Sequence, residues 1–246
     1  MMKFKNTANA TELRALWQEA FGDSDDYLDL FFSTAYSEKR SMAAFSDNEL
    51  AGALYWFDCE LGGKKVAYIY AVATAKRHRG KGVCAALMDY TNGYLINNGY
   101  SLAILVPSKA SLFGFYQKIG YKTCGYIKEI KVKGCAEKSA INEISCEEYS
   151  ALRKDFLPEN AVILNQENTE FLKAQYRFFK GEDFIYCESK LDSSFLPEFL
   201  GNTEKIPQKN KTTFARTVGN GKPFLMGISL EESPLRDNIY FPFAFD

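Results

Sequence analysis

The stretch that most limits the possible folds of this chain is residues 71–90, AVATAKRHRGKGVCAALMDY. An apolar run typical of a strand ends in a six-residue loop with three cations and two glycines, and a helical pattern of apolar residues begins at Val83. A strand that turns directly into a helix leaves the first N–H groups of that helix unpaired, and the helix dipole adds partial positive charge there. Gly80 and Gly82 lack the Cβ atoms that would keep a ligand away from these groups. The segment therefore predicts a strand–loop–helix unit that binds a pyrophosphate.

The pattern around this unit predicts an α/β (α+β) domain over residues 1–135, with a mixed sheet flanked by helices. Helices are indicated by apolar residues at helical spacing, strands by dense or alternating apolar runs, and turns by Gly and Asx pairs. The predicted elements are helices over 9–21 and from Ser24, strands over 41–46, 50–61 and 65–74, a helix over 83–96, a strand over 101–107, a helix over 110–119 and closing strands over 121–132.

The polar run over residues 136–145 predicts a boundary, so a second, smaller domain is assigned to residues 136–246. Its predicted elements are helices over 145–157 and 169–179, a strand over 183–189, and two strands over 212–218 and 223–230 joined by a turn at Gly219–Gly221. The aromatic segment 238–246 is so bulky that we expect it to be buried. The second domain has no glycine-rich basic loop.

Composition excludes several classes of function. Thirty Lys and Arg face thirty-one Asp and Glu, a net charge of −1, whereas a nucleic-acid binder usually shows a basic excess. A single histidine, His78, leaves neither a His-rich metal site nor a Ser-His-Asp triad, and no metal is predicted. Six cysteines without a C-x-x-C pair, no apolar signal segment and no apolar run of about 20 residues predict a cytoplasmic protein without disulfides or a membrane span.

Two motifs narrow the ligand. The loop does not match the Walker A pattern, because Gly82 follows Lys81, and it lacks the last glycine of the dinucleotide fingerprint. The spacing Arg77-x-x-Gly80-x-Gly82, and Tyr116 four residues before Gly120 on a later helix, instead resemble the two signatures of the GNAT superfamily of acyl-CoA-dependent N-acetyltransferases. The resemblance extends over residues 3–133 and implies a GNAT-type sheet for the first domain.

The resemblance also implies roles for individual residues. The strand before the loop is expected to splay from its neighbour, so that its backbone holds the pantetheine arm of acetyl-CoA, the cosubstrate. Tyr116 matches the tyrosine that protonates the departing thiolate, and Ser108 stands where the family often has Asn. The residues assigned to acetyl-CoA are Val72, Ala73, Thr74, Arg77, Arg79, Gly80, Lys81, Gly82, Val83 and Ser108.

The motifs and the aromatic terminus look closest to the Eis-like branch, whose members follow the active domain with a degenerate acetyltransferase-like domain and carry a sterol-carrier-like one, full or reduced. By that resemblance the second domain is GNAT-like or sterol-carrier-like. The main-chain or side-chain carboxylate of Asp246 is then the base that accepts the proton of the amine.

Several alternatives stay open. Glu49, Asp58 and Glu60 are further candidates for the base, and the acidic residues Asp23, Asp25, Asp26 and Asp29 either attract a cationic amine or form a solvated face. Cys84 and Cys124 are interpreted as core thiols, and His78 as a residue aimed at phosphate or solvent. The acceptor is a small-molecule or peptide amine, and a homo-oligomer is possible. A non-catalytic acyl-CoA-binding module and an aminoacyl-type transferase of the same fold are the competing functions.

Overall fold

The computed structural model describes residues 2–6, 8–132, 140–165, 169–208 and 212–244. The chain divides into two compact units. Unit 1 comprises Met1–Lys122, Ile163–Asn168 and Met226–Leu235, and unit 2 comprises Thr123–Val162, Thr169–Leu225 and Arg236–Asp246. Within the described ranges, no helix is both long and apolar enough to cross a membrane.

The elements run through both units in chain order. The first half contains β1 (Met2–Lys5), α1 (Ala10–Phe21), α2 (Asp25–Thr34), β2 (Ser41–Ser46), β3 (Glu49–Leu61), β4 (Lys64–Thr74), α3 (Val83–Asn97), β5 (Leu102–Leu105), α4 (Ala110–Lys118) and β6 (Lys122–Val132). The second half contains β7 (Asn142–Ile144), α5 (Cys146–Phe156), β8 (Ile163–Leu164), α6 (Thr169–Gln175), β9 (Tyr176–Lys180), β10 (Phe184–Ser189), β11 (Phe195–Leu196), β12 (Glu198–Gly201) and β13 (Thr213–Ser229).

The helices of the first half begin and end where local chemistry places them. Asn9 caps α1 by accepting a hydrogen bond from the Thr11 N–H at 2.8 Å, and Gly22 ends that helix with φ +77°. Ser24 caps α2 by accepting from the Tyr27 N–H at 3.3 Å. These caps confirm the predicted starts of both helices.

Unit 1 is built on a mixed sheet with helices on both faces, which confirms the predicted fold class. Its strand order is β1-β2-β3-β4-β5, followed by residues 226–229 of β13; β4 and β5 are parallel and the other neighbours antiparallel. One face packs on α3 and α4 through a core that includes Trp56, Leu87 and Tyr116. The opposite face meets α1 and α2 in a cluster of aromatic rings around Trp17 and Tyr70.

Unit 2 contains a four-stranded antiparallel sheet of order β12-β10-β9-β7, together with β6 and β11, which pair with β13. Helix α5 packs on the four-stranded sheet and carries Arg153, whose guanidinium bonds the buried carboxylate of Glu198 at 2.7 and 2.9 Å. The expected burial of the aromatic segment is confirmed as far as residue 244: Tyr240, Phe241 and Phe243 are each at most 3% exposed.

Two predictions for the second half are wrong. The helix predicted over 169–179 ends at Gln175, and Tyr176–Lys180 forms β9, because these residues pair with β10. The turn predicted at Gly219–Gly221 is absent, because β13 runs through it as one strand. A Cβ on Gly221 would lie 2.1 Å from the carbonyl oxygen of Ile127, so this glycine allows the close approach of β6.

The compact units also divide the chain differently from the predicted ranges 1–135 and 136–246. Strand β6 joins unit 2 from Thr123 onward, and Met226–Leu235 joins unit 1. The reason is strand pairing over long sequence separations: Met226–Ser229 of β13 pairs with Leu102–Leu105 of β5. The composition of the chain carries no signal for such a pairing.

Candidate active site

The candidate site begins where β4 leaves β5. The two strands pair from Val66 opposite Leu102 to Tyr68 opposite Ile104, and no further pair joins them among the described residues. Beyond Tyr68, β4 continues along β3 alone. The splay expected from the family resemblance is therefore present. It leaves backbone groups of the last residues of β4 facing an opening, where an extended ligand can pair with them.

A bulge lies inside this opening. Ala53 pairs with Ala73, and Tyr55 pairs with Tyr70, so that β4 has two residues, Ala71 and Val72, opposite one residue of β3. Ala71 has φ +47°, a left-handed conformation that costs a residue with a Cβ roughly 1–2 kcal/mol. Strain of this kind concentrates at functional sites. The bulge redirects the backbone of Val72, Ala73 and Thr74, the three residues predicted to hold the pantetheine arm.

The loop after β4 is fixed at its start. The Ala75 N–H donates to the Ala51 carbonyl at 3.0 Å, and the Lys76 N–H donates to the carboxylate of Glu19 on α1. The Arg79 Nε donates to the Thr74 carbonyl at 3.1 Å. The loop is thus held by three separate elements of unit 1.

We call the open space beside Gly80 and Gly82, at the end of this loop, the glycine cradle. Gly80 and Gly82 have φ +73° and +75°, and a Cβ built on either residue would meet nothing within 4 Å. Helix α3 starts at Val83 without a side-chain cap, and its first backbone bond runs from the Ala86 N–H to the Gly82 carbonyl at 3.0 Å. The N–H groups of the first turn therefore lack an intrahelical acceptor and face the space beside the glycines. Such a site fits a pyrophosphate.

The cations of the loop are not equivalent. The guanidinium of Arg77 lies 3.1 Å from the carboxylate of Glu49, and the Nε2 of His78 lies 3.9 Å from the same carboxylate. Lys81 is exposed at the glycine end of the loop. Glu49, one of the candidate bases, is thus a counter-ion of the loop, and Arg77 is turned toward the β2–β3 hairpin.

Tyr116 on α4 is 8% exposed, and its ring contacts those of Phe115 and Tyr121 at 5.2 and 6.0 Å between centroids. Burial, and then the charge that the nearby thiol of Cys84 would carry, raise the pKa of Tyr116 well above its usual value. The phenol is therefore neutral at physiological pH. A neutral phenol donates a proton, so Tyr116 has the protonation state that a general acid needs.

Cys84, in the first turn of α3, connects Tyr116 to the end of β4. Burial raises the pKa of the Cys84 thiol to about 11, and a hydrogen bond with the Thr74 side chain partly opposes this shift. The thiol stays protonated, which argues against an acyl-cysteine relay because the nucleophile would be the thiolate. The structure thus brings Thr74, Cys84 and Tyr116 together.

The other predicted residues lie elsewhere. Ser108 is exposed between β5 and α4. Asp58 sits where β4 and β5 are still paired and accepts a hydrogen bond from the Tyr100 hydroxyl, with the Arg40 guanidinium 3.7 Å away. Glu60 is exposed further along β3. Asp246 lies outside the described residues. In the described part of the chain, no group of three or more His, Cys, Asp or Glu is placed to hold a metal ion.

The acidic residues of the α1–α2 region do not form one cluster. Asp29 pairs with the Arg14 guanidinium at 2.6 Å, and Asp25 accepts from the Gln18 amide at 2.6 Å. Asp23 instead accepts a 2.7 Å hydrogen bond from the indole N–H of Trp17, within the aromatic cluster. Asp23 thus contacts a buried residue that packs on the sheet.

Sequence patterns missed three features of this site. A Cβ on Gly52 would lie 2.9 Å from the Ala73 carbonyl oxygen, so this glycine permits the geometry of the bulge. Glu19 binds the Lys76 N–H from α1, 57 residues away. The hydroxyls of Tyr27 and Tyr70 meet at 2.5 Å. A glycine inside an apolar strand is a signal that could have indicated the first feature.

Comparison with known proteins agrees with this geometry. Residues 3–124 match the model of a family described as Acetyltransferase (GNAT) domain. No curated protein matches the chain.

Several solved structures, including the following three, are similar over nearly the whole chain. A GCN5-related N-acetyltransferase from Kribbella flavida is 15% identical, with 94% of this chain and 72% of that chain covered and a TM-score of 0.67. A GCN5-related N-acetyltransferase from Anabaena variabilis is 13% identical, with 94% of this chain and 73% of that chain covered and a TM-score of 0.69. Eis1 from Mycobacterium abscessus is 11% identical, with 93% of this chain and 74% of that chain covered and a TM-score of 0.66. The chain therefore has the fold of these N-acetyltransferases. Eis1 is no more similar than the other two, so the comparison does not single out the Eis-like branch.

Proposed function

We propose that the protein is an acetyl-CoA-dependent N-acetyltransferase that moves an acetyl group to a primary amine by direct attack in a ternary complex. The observation that carries this proposal is the meeting of three features in unit 1: the opening between β4 and β5, the glycine cradle at the start of α3, and the buried phenol of Tyr116. The match of residues 3–124 to the acetyltransferase family model supports it.

Acetyl-CoA fits this site in two parts. The pyrophosphate is held by the N–H groups from Arg79 to Val83, beside Gly80 and Gly82, where no Cβ obstructs it. The pantetheine arm runs along Val72–Thr74 in the place that β5 leaves open, and Arg77 and Ser108 lie at the rim. When bound, acetyl-CoA supplies a thioester carbonyl, which a backbone N–H of β4 polarises.

The transfer moves two protons. An alkyl ammonium has a pKa near 10.4, so about one molecule in 2,500 is the free amine at pH 7, a cost of roughly 4.6 kcal/mol. The amine forms the new C–N bond and gives up a proton, for which we keep Asp246 as the proposed acceptor. The C–S bond breaks, and the Tyr116 hydroxyl donates its proton to the departing thiolate. The phenol then recovers a proton from solvent.

The separate roles of the two halves of the chain are part of the same proposal. Residues 1–135 bind the donor, and residues 136–246 form a degenerate acetyltransferase-like domain, as in the Eis-like branch. The lack of a glycine-rich basic loop after residue 136 supports this assignment.

Thermal unfolding with and without ligands tests the donor. Acetyl-CoA is expected to raise the melting temperature, whereas ATP and NAD are not. Gly82→Asp should abolish the acetyl-CoA shift, because a carboxylate enters the cradle. Gly63→Asp is the matched control: Gly63 has a φ of +77°, close to the +75° of Gly82, and equally open surroundings, but it lies in the β3–β4 turn. An undiminished shift in Gly82→Asp would refute the pyrophosphate site.

A wild-type protein that binds acetyl-CoA but releases no thiol with any amine of a broad panel would be a non-catalytic acyl-CoA-binding module.

A further inference from the structure

We propose that the paired hydroxyls of Tyr27 and Tyr70, together with the carboxylate of Asp23, bind the acceptor as an alkylammonium cation. This inference names the acceptor class and the residues that hold it, and it rests on the proposed function for the reaction that follows. In this site Tyr70 contacts the amine, Asp23 supplies the negative charge, and Tyr27 is a positioning residue for Tyr70.

The position of Tyr70 is the first argument. It lies two residues beyond the last β4–β5 pair and directly before the strained Ala71, so it stands at the edge of the opening for the thioester. Its side chain projects to the face opposite α3, where its ring lies 5.7 Å from that of Trp17 and 5.4 Å from that of Phe57. Tyr70 is half-buried there, and so are Tyr27 and Asp23. The residue therefore adjoins both the donor site and solvent.

The hydroxyl pair is the second argument. The Tyr27 and Tyr70 oxygens lie 2.5 Å apart and join α2 to β4 within a cluster of aromatic rings. A phenyl ring at either position would fill the same space without a buried hydroxyl to satisfy. Each phenol oxygen accepts as well as donates a hydrogen bond, which is the chemistry that an N–H donor of an ammonium group requires.

Charge is the third argument. Burial, with further contributions from Tyr27 and Asp23, raises the pKa of Tyr70 well above its usual value, so the phenol is neutral and the negative charge at this point comes from Asp23. The Asp23 carboxylate is fixed by its 2.7 Å bond from Trp17, whose ring lies 6.4 Å from that of Tyr27. A carboxylate beside aromatic faces attracts a cation both by its charge and through the ring quadrupoles. Anionic acceptors are repelled at the same place.

Tryptophan fluorescence tests this site without any need for turnover, because Trp17 contacts all three residues. We choose 1,4-diaminobutane and n-butylamine as probes and 1,4-butanediol as the uncharged control. Both amines are expected to change the emission in a saturable way, and the diol is not. Tyr70→Phe and Asp23→Asn should each weaken amine binding about ten-fold, the usual effect of losing one hydrogen bond to a charged group.

Two variants separate the site from general packing. Tyr27→Phe should weaken amine binding by less than Tyr70→Phe, because it removes the partner of the contacting hydroxyl and not the contact itself. Tyr100→Phe is the matched control. The Tyr100 hydroxyl accepts a 3.1 Å hydrogen bond from the indole N–H of the other tryptophan, Trp56, so this substitution should leave amine affinity unchanged. Equal responses to diol and amines, no saturable response, or wild-type amine affinity in both Tyr70→Phe and Asp23→Asn would overturn the proposal.

The proposed function is measured separately through the thermal shift given by acetyl-CoA. If acetyl-CoA stabilises the protein but the amines do not bind at Trp17, the acceptor site is refuted and the donor site stands. If the amines bind and acetyl-CoA does not, the proposed reaction fails while the cation site is supported.

Discussion

The starts of two helices, α3 in unit 1 and α5 in unit 2, show opposite chemistry. Helix α5 is capped by Ser145, whose hydroxyl accepts from the Glu148 N–H at 3.1 Å, and its first turn contains Glu147 and Glu148. Helix α3 begins at a glycine without a side-chain cap, and its first turn contains no acid. The helix dipole makes both ends attractive to negative charge. The chain supplies that charge itself at α5 and leaves α3 open to a ligand.

The arginines of the two units repeat this contrast. Arg79 is exposed in the loop before α3, where its charge is available to an anion, whereas Arg77 is exposed but paired with Glu49. Arg153 on α5 is buried, which by itself lowers the pKa of a guanidinium, but the charge and hydrogen bonds of Glu198 more than offset this effect and raise it. A cation that is already neutralised inside the protein serves the fold. The comparison therefore separates the proposed ligand-binding helix end from a structural one.

The largest effect is expected inside unit 2. Glu198→Gln leaves Arg153 as a buried charge without its counter-ion, so the free energy of unfolding should fall by about 3–5 kcal/mol, measured by urea denaturation. Glu143→Gln, which removes the exposed partner of Arg177, is the control and should have little effect. Similar losses in both variants would remove the contrast between buried and exposed charge.

Tyr116→Phe should lower turnover about 100-fold, the low end of general acid catalysis, and leave the affinity for acetyl-CoA unchanged. The measurement is thiol release at saturating acetyl-CoA, with isothermal titration for binding. Tyr121→Phe is the control, since this neighbouring phenol is bonded to Asn92 at 2.9 Å. Wild-type turnover in Tyr116→Phe would make this tyrosine a core residue only.

Ala85→Glu gives α3 the acidic first turn that α5 has. The new carboxylate competes with the ligand for the same N–H groups, so acetyl-CoA should bind about ten-fold more weakly, while the melting temperature of the free protein stays the same or rises slightly. Ala85→Gln has nearly the same shape without the charge and should retain most of the affinity. If both variants bind acetyl-CoA equally well, the open end of α3 is not the anion site.

Ser145→Ala removes the cap of α5 and should cost about 1 kcal/mol of unfolding free energy. Acetyl-CoA affinity should not change, and Ser145→Asp should restore stability because aspartate also caps. A change in acetyl-CoA affinity would show that the two helix ends are not independent.

The sequence predicted those parts of the candidate site that depend on residues close together in the chain. The starts of α1 at Asn9 and of α2 at Ser24, and the start of α3 after Gly82, all follow from local backbone chemistry. The roles of Glu49, Asp58 and Tyr70 were not predictable in this way. Each depends on a partner 28, 42 or 43 residues distant: Arg77, Tyr100 and Tyr27.

The sequence by itself determined where α3 begins, because only glycine adopts the positive φ of residues 80 and 82 without strain, and their spacing from the preceding strand is short. It also determined that Tyr116 lies on a helix that stops before Gly120. The tertiary structure alone decided that β4 bulges at Ala71, that Glu49 holds Arg77, and that residues 226–229 complete the sheet of unit 1. The physical reason is the sequence separation of the interacting residues. Backbone conformation and helix caps depend on residues within one turn of the chain, whereas strand pairing and ion pairs depend on which distant segments packing brings together.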